Sequence, residues 1–314
     1  MMKILVTGAN GFVGRNLCLA LCQQHAVVAA VRVVDCCING LTQTVAIAAI
    51  NADSDWSAAL HNVDVVVHLA ARVHVMHDAA VDPLAEFRQV NVAGTLTLAR
   101  QAAQAGVKRF IFISSVKVNG EHTEIGLPFT EEHVANPQDA YGQSKLEAEL
   151  GLLLLAQQTA MEMVIIRPPL VYGVGVKANF DSMLQAVKRG IPMPLGAIHN
   201  QRSFVYVGNL VSLILRCLDH PAATNQVFLV SDGHDLSTTE LLRASAVALG
   251  VRAWLLPIPQ RLIAFAADML GKRAVAQRLC GNLQVDITKA YTLLGWTPPV
   301  SVEDGLKATA LGLI

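Results

Sequence analysis

Apolar residues in the first half of the chain come in short unbroken runs, and the stretches between them carry apolar positions every three or four residues. Lys3–Thr7, Ala26–Val31, Thr44–Ile50, Asp64–His68, Arg109–Ser114 and Met163–Arg167 are runs of the first kind. Continuous runs, as opposed to alternating ones, predict strands buried on both faces, as in a parallel sheet. Phe12–Gln24, Asp82–Ala105 and Asp139–Thr159 carry the helical spacing. Strand and helix therefore alternate, and right-handed crossovers make this an α/β, doubly wound parallel sheet. After Pro168-Pro169 glycine and proline punctuate the chain as far as Gly196. Short strands return at Ser203–Val207 and Val227–Val230, and Leu236–Leu279 reads as helix broken at Pro257 and Pro259. The expected organisation is a main domain over residues 1–170, rejoined by the strands near 203–207 and 227–230. A smaller, discontinuous domain over 171–314 covers the carboxyl edge of the sheet.

Composition narrows the class. The chain has 314 residues, 53% of them hydrophobic, enough to bury a large core. Its 24 basic and 24 acidic residues cancel, which argues against nucleic acid as a partner. A mean hydropathy of +0.43 raises the question of a membrane span. Leu150–Ala156 and Leu262–Leu270 are the most apolar stretches, and both fall short of the roughly 20 residues a span needs. Met1-Met2-Lys3 runs straight into the first strand, so no signal peptide is expected. Cys18, Cys22, Cys36, Cys37, Cys217 and Cys280 form no Cys-x-x-Cys pair and read as free thiols in a reducing cytoplasm. His74 and His77 lack a cysteine or acidic cluster to complete a zinc site, so no metal is expected.

Between the first strand and the first helix lies Thr7-Gly8-Ala9-Asn10-Gly11-Phe12-Val13-Gly14. Glycine there permits a tight turn, close approach of backbone to a pyrophosphate, and close helix–sheet packing. The helix N-terminus adds free N–H groups and a positive dipole end. This predicts a dinucleotide site. The residue closing the second strand is Arg32 rather than an acid. A guanidinium can pair with a 2′-phosphate that a carboxylate would repel, so NADP is favoured over NAD. Asp35, three residues on, could still serve a ribose. Further along, Tyr141-Gly142-Gln143-Ser144-Lys145 puts a phenol and an ammonium at i and i+4 of one helix face. The ammonium is expected to lower the phenol pKa. Ser115 ends the fifth strand, where its hydroxyl can share a substrate oxygen with Tyr141.

Together these residues resemble the extended short-chain dehydrogenases/reductases, in the NAD-dependent epimerase/dehydratase branch. The resemblance spans essentially the whole chain. It rests on Thr7–Gly14, His68-Leu69-Ala70-Ala71, Asn91-Val92-Ala93-Gly94-Thr95, Ser114-Ser115, Tyr141–Lys145, Arg167-Pro168-Pro169 and Gly295-Trp296-Thr297-Pro298. It implies Ser115, Tyr141 and Lys145 as catalytic residues, Lys145 also holding the nicotinamide ribose. It implies Gly8, Asn10, Gly11, Phe12, Val13, Gly14, Leu69, Ala70 and Ala71 along the dinucleotide, with Pro168 flanking the nicotinamide. Asn91 would brace the sheet near the site. Asn179 and Arg202 would meet the nucleotide diphosphate of a UDP-sugar, and Lys117 is a further candidate for the sugar. The long helices near 82–105 and 139–159 would form a homodimer contact.

The sequence also departs from that pattern. Val116-Lys117 stands where the dehydratases of the branch carry an Asp-Glu pair, so no carboxylic acid is placed to protonate a leaving hydroxyl. Ala48-Ala49 replaces an acidic residue expected after the third strand, and Leu170 an asparagine. The first expectation is NADPH-dependent reduction of a UDP-4-keto-6-deoxy-(N-acetyl)hexosamine for surface polysaccharide. The alternative is a UDP-hexose 4-epimerase with tightly held NAD. A third, a non-catalytic dinucleotide-binding regulator, sits poorly with the presence of both Tyr141 and Lys145.

Overall fold

The computed structural model describes residues 1–33, 43–73, 82–176 and 178–312. Asp35, Cys36, Cys37, His74 and His77 lie outside them. A seven-stranded parallel sheet runs in the order β3-β2-β1-β4-β5-β6-β9. Its strands are β1 (Lys3–Thr7), β2 (Ala26–Val31), β3 (Gln43–Ala46), β4 (Val65–His68), β5 (Arg109–Ile113), β6 (Glu162–Arg167) and β9 (Gln226–Leu229). The order reverses between β1 and β4, which is where a doubly wound sheet opens a crevice at its carboxyl edge. β3 is shorter than its apolar run because β2 ends at Val31, the partner of Ala46, leaving little ladder beyond.

Helices cover both faces, as the unbroken strand runs require. On one side α1 (Phe12–Leu21), α7 (Val207–Cys217) and α11 (Thr288–Leu294) bury Leu17, Leu21, Leu213 and Ile214 against Val6, Val67 and Ile166. On the other, α2 (Ser57–Leu60), α4 (Thr95–Gln104) and α5 (Ala140–Gln158) bury Leu60, Leu98 and Leu152 against Leu5, Val66 and Phe110. Each such aliphatic side chain contributes about 1.5–3 kcal/mol. The stretch expected as one helix over 82–105 is three pieces: α3 (Pro83–Phe87), a π-helical turn at Arg88–Gly94, and α4. The wider turn changes side-chain register along the helix, and it buries Asn91.

The chain beyond residue 170 corrects one expectation. β9 does rejoin the main sheet beside β6. The strand near 203–207 does not: β8 (Phe204–Tyr206) pairs with β7 (Leu170–Tyr172) in a separate two-stranded sheet. Its local sequence reads as a strand either way, and only the pairing partner, supplied by the strand that starts directly after Pro169, distinguishes the two outcomes. Around this ribbon α6 (Ala178–Lys188), α8 (Thr238–Ala248) and α12 (Val302–Leu311) build a second core from Tyr172, Phe180, Leu184, Phe204, Leu241 and Leu306. A Ser237 and Glu240 capping box fixes the start of α8. The remaining helices, α9 (Gln260–Met269) and α10 (Arg273–Cys280), form a hairpin at the side of this lobe.

Candidate active site

The site grows from the carboxyl ends of β1, β4 and β5. At the end of β1, Gly8 takes φ +67°, and a Cβ there would lie 2.9 Å from the Ala70 nitrogen. A Cβ on Gly14 would come within 2.2 Å of the Gly8 carbonyl oxygen, so α1 can approach the turn only with glycine here. Gly11 caps α1 without a side-chain hydrogen bond. The N–H groups of the first turn are thus presented as an anion cradle. Asn10, Phe12 and Val13 belong to the same turn and first helical residues. Leu69, Ala70 and Ala71 follow β4 across from it, all half-buried.

Thr7 ties the two loops together. Its Oγ1 accepts from the Ala70 N–H at 3.1 Å and lies 2.7 Å from His68 Nδ1. His68 Nε2 is 2.9 Å from Thr95 Oγ1. The imidazole is fully buried and stacks on Phe112. Burial, and next the Lys145 charge, push it down to about 3. It is a neutral strut beneath the site.

α5 carries the chemistry. Asp139 caps it, Oδ1 accepting from the Gly142 N–H at 2.7 Å, and Tyr141 stands half-buried in the first turn. Lys145 is 2% exposed and donates to the Ile113 carbonyl at 2.8 Å. Its Nζ sits 4.3 Å from the Phe112 ring centroid and 5.9 Å from that of Tyr141. Burial lowers the ammonium to about 7, against an opposing pull from Glu149 one turn on. The shared face of Tyr141 and Lys145 is therefore real, but the expected depression of the phenol is not: burial, and then Asp139, raise it. A phenol enclosed beside a carboxylate, facing an ammonium that has itself lost much of its charge, keeps its proton.

Two networks hold this geometry. Asn91, on the π turn, accepts from the Arg72 N–H at 2.8 Å and donates to the Arg72 carbonyl at 3.0 Å and to Ser144 Oγ at 3.0 Å. It joins the segment after Ala71 to the helix of Tyr141, so it braces a loop to a helix. Glu149 pairs with Arg167 at 2.6 Å, both nearly buried, and Arg167 Nη1 donates to Asn119 Oδ1 at 3.1 Å. Arg167 leads into Pro168, which is buried and whose carbonyl accepts from the Val116 N–H at 3.0 Å.

Ser115 is half-buried in extended backbone, and its Oγ accepts from the Lys117 N–H at 3.2 Å. The neighbouring Ser114 Oγ is buried without a hydrogen-bond partner. An orphaned hydroxyl at a sheet edge fits a site that takes a polar ligand. Lys117 does not open towards a sugar: its ammonium is held by Asp139 and Glu121. The two carboxylates satisfy it where an open sugar site was expected. Arg202 is largely enclosed, and its Nη1 donates to the Gly281 carbonyl at 2.9 Å. Asn179 is exposed near the start of α6, and Arg32 is exposed at the end of β2. Sequence reasoning missed Asp139, Glu149 and Thr7. An N-cap aspartate two residues ahead of Tyr141 and an i+4 acid after Lys145 were the available signals.

Residues 4–231 match the NAD dependent epimerase/dehydratase family. A UDP-glucose 4-epimerase of Vibrio cholerae is 51% identical over 311 residues, 98% of this chain and 94% of that protein. The UDP-glucuronic acid 4-epimerase of Bacillus cereus, solved in complex with NAD, superposes with a TM-score of 0.80 at 23% identity, over 99% of this chain and 98% of that one. RMD from Pseudomonas aeruginosa, solved with NADPH, superposes with a TM-score of 0.75 at 24% identity, over 99% of each. The last two show a shared fold.

Proposed function

Because the chain belongs to the NAD dependent epimerase/dehydratase family, we propose that it is a UDP-hexose 4-epimerase that keeps its NAD through turnover. The 51% identity with the Vibrio cholerae epimerase over nearly the full length carries this reading. It displaces the reductase expectation, which leaned on Arg32. An exposed guanidinium at the end of β2 stacks on an adenine as readily as it pairs with a phosphate.

The residues present fit a dinucleotide. The Gly8–Gly14 cradle would take the pyrophosphate, Leu69, Ala70 and Ala71 would line the opposite wall, and Lys145 and Pro168 would flank the nicotinamide end. When bound, the nicotinamide supplies a reversible hydride acceptor and a positive charge. The chain's own part is proton management. The positive charge that a bound nicotinamide would bring beside Tyr141 favours the phenolate, and in that state Tyr141 Oη would take the proton of the sugar C4 hydroxyl as the hydride leaves C4 and return it when the hydride comes back to the other face. Ser115 Oγ shares that oxygen. Lys145, close to its titration point, would keep part of a positive charge beside the phenol and would hold the ribose. Arg202 and Asn179 would meet the diphosphate. Lys117, tied to Asp139, steadies the start of α5 rather than touching sugar. Exposed Leu150 and Leu154 on α5 mark the face for a homodimer. The free Cys18, Cys22, Cys217 and Cys280 suit a cytoplasmic location.

The test is to denature purified protein and identify the released nucleotide by mass spectrometry, while assaying UDP-glucose/UDP-galactose interconversion with no added cofactor. Stoichiometric NAD and cofactor-free interconversion are expected. Loosely held NADP, with turnover only on added NADPH and a 4-keto sugar, would restore the reductase.

A further inference from the structure

The α9–α10 hairpin contradicts the rest of the fold. α9 has ten residues and none of them is buried. Leu262, Phe265 and Met269 recur at helical spacing along one face and are 57%, 67% and 74% exposed. Leu270, just past the helix, extends that apolar surface at 72%, and Trp254, in the segment before it and beside Gly190, is 55% exposed. The half-buried Ile263 and Ala267 lie on the adjoining side of the helix. Packing against α10 thus leaves the Leu262–Phe265–Met269 face uncovered.

Charge is distributed to match. From Arg252 to Arg278 the chain has Arg252, Arg261, Lys272, Arg273 and Arg278 against Asp268 alone. That is a local net of +4 in a chain whose formal net charge is zero. Lys272 lies in the exposed turn between the helices, where Gly271 adopts φ +65°, and the exposed Arg273 opens α10. Basic residues rimming an exposed apolar helix face are the signature of an element lying in a bilayer interface. No helix among the described residues is long and apolar enough to cross a membrane. A two-fold contact with a second copy would set this patch against itself and bring like charges together. The hairpin is also firmly rooted: Ala276 and Cys280 of α10 are buried, and the Gly281 carbonyl accepts from Arg202 and from Asn200 at 2.9 Å each.

We propose that the α9–α10 hairpin docks the protein peripherally on an anionic lipid surface, with Leu262, Phe265, Met269 and Leu270 entering the interface and Lys272 and Arg273 pairing with lipid phosphates. The proposal does not rest on the epimerase reading, and its assay requires no turnover. Trp56 and Trp296 are buried, so Trp254 is the one exposed tryptophan of the chain's three and a built-in reporter.

The test is flotation of the full-length protein with vesicles of phosphatidylglycerol and phosphatidylethanolamine, or of phosphatidylcholine alone, with tryptophan emission read in parallel. Co-flotation with the anionic vesicles is expected, at least tenfold weaker on phosphatidylcholine and weakened by salt. A blue shift lost in Trp254→Phe should accompany it. Phe265→Glu with Met269→Glu, and separately Lys272→Gln with Arg273→Gln, should each cut the bound fraction at least tenfold at unchanged Tm. Leu154→Glu on α5 should leave flotation unaltered. Absence of flotation on anionic vesicles overturns the proposal. So does a Phe265→Glu/Met269→Glu variant that still floats but sediments as a smaller oligomer, because the face would then be a contact between copies.

Discussion

Lys145 and Phe265 sit in opposite circumstances for their kind. The lysine is 2% exposed, under a phenylalanine ring and a backbone carbonyl; the phenylalanine is 67% exposed on a helix that buries nothing. A protein left to stability alone would exchange them, because burying a cation costs free energy and an exposed ring gains none. The lysine is enclosed because a desolvated ammonium titrates near neutrality and can serve a proton transfer. Among the described residues nothing covers the exposed ring, and the proposed lipid surface is the partner that would. The inversion around Lys145 is paired and hydrogen-bonded throughout, whereas the one along α9 is simply presented.

The largest effect that would sharpen this contrast is on turnover. Tyr141→Phe removes the hydroxyl and leaves its ring against Phe87, at a centroid distance of 6.0 Å. Turnover should fall about 10²- to 10⁴-fold, while released-nucleotide stoichiometry and Tm stay as in the parent. Steady-state kinetics beside mass spectrometry of the denatured protein decides it. Wild-type-like rates would remove Tyr141 from the proton path.

Next comes the pair that holds the helix of Lys145 to the strand of Arg167. Glu149→Leu strands a guanidinium that is almost wholly enclosed, with Asn119 as a remaining partner. Breaking a buried pair on one side costs about 3–5 kcal/mol, read as a shift in urea midpoint. The double variant Glu149→Leu/Arg167→Met should recover most of that loss. By contrast, removing Lys307 from its exposed pair with Asp304 should cost no more than about 1 kcal/mol. If the two losses were alike, burial would not be what distinguishes the site.

The pH dependence of stability tests the same enclosure. His68 is pushed down to about 3 from an ordinary 6.5. Between those values the unfolded chain binds a proton that the folded chain refuses, so stability falls as pH drops through that window. Lys145, lowered to about 7 from 10.5, does the same between 7 and 10.5, where stability rises with pH. Thermal unfolding of His68→Asn should show a flatter acid limb, and that of Lys145→Met a flatter alkaline one, each by a few kcal/mol across its window. Unaltered slopes would mean that water reaches these groups.

How much of this was legible in the sequence follows the same division. The parallel sheet, its strand bounds within a residue or two except at β3, the glycine cradle and the pairing of Tyr141 with Lys145 follow from local pattern, because each is set by neighbours in the chain. Three things were not legible. The partner of β8 was hidden, since a three-residue strand carries no record of what it pairs with. The π turn was hidden because Asp82–Ala105 shows ordinary helical spacing, although Asn91 reaches the site only through that turn. The direction of the Tyr141 shift was hidden too: spacing reveals a nearby ammonium, but not the burial that discharges it or the Asp139 carboxylate beside it. Leu262–Leu270 was legible as too short to span a bilayer, yet its exposure could be seen only once the fold left it uncovered.

The smallest expected effect tests the other pole. If α9 contributes its apolar face to nothing within the chain, truncating that face should leave stability nearly untouched. Phe265→Ser and Met269→Ser should each move the unfolding free energy by no more than about 0.5 kcal/mol, as exposed substitutions generally do. Phe110→Ala, in the sheet core at 0% exposure, should cost about 3–5 kcal/mol. Both can be read from urea melts of the vesicle-free protein at a concentration series. A concentration-independent null for α9 beside a large loss at Phe110 would separate a face kept for an external surface from one kept for the fold. A loss at Phe265 approaching that at Phe110 would mean that the side chain is covered in solution, and the contrast between the two regions would collapse.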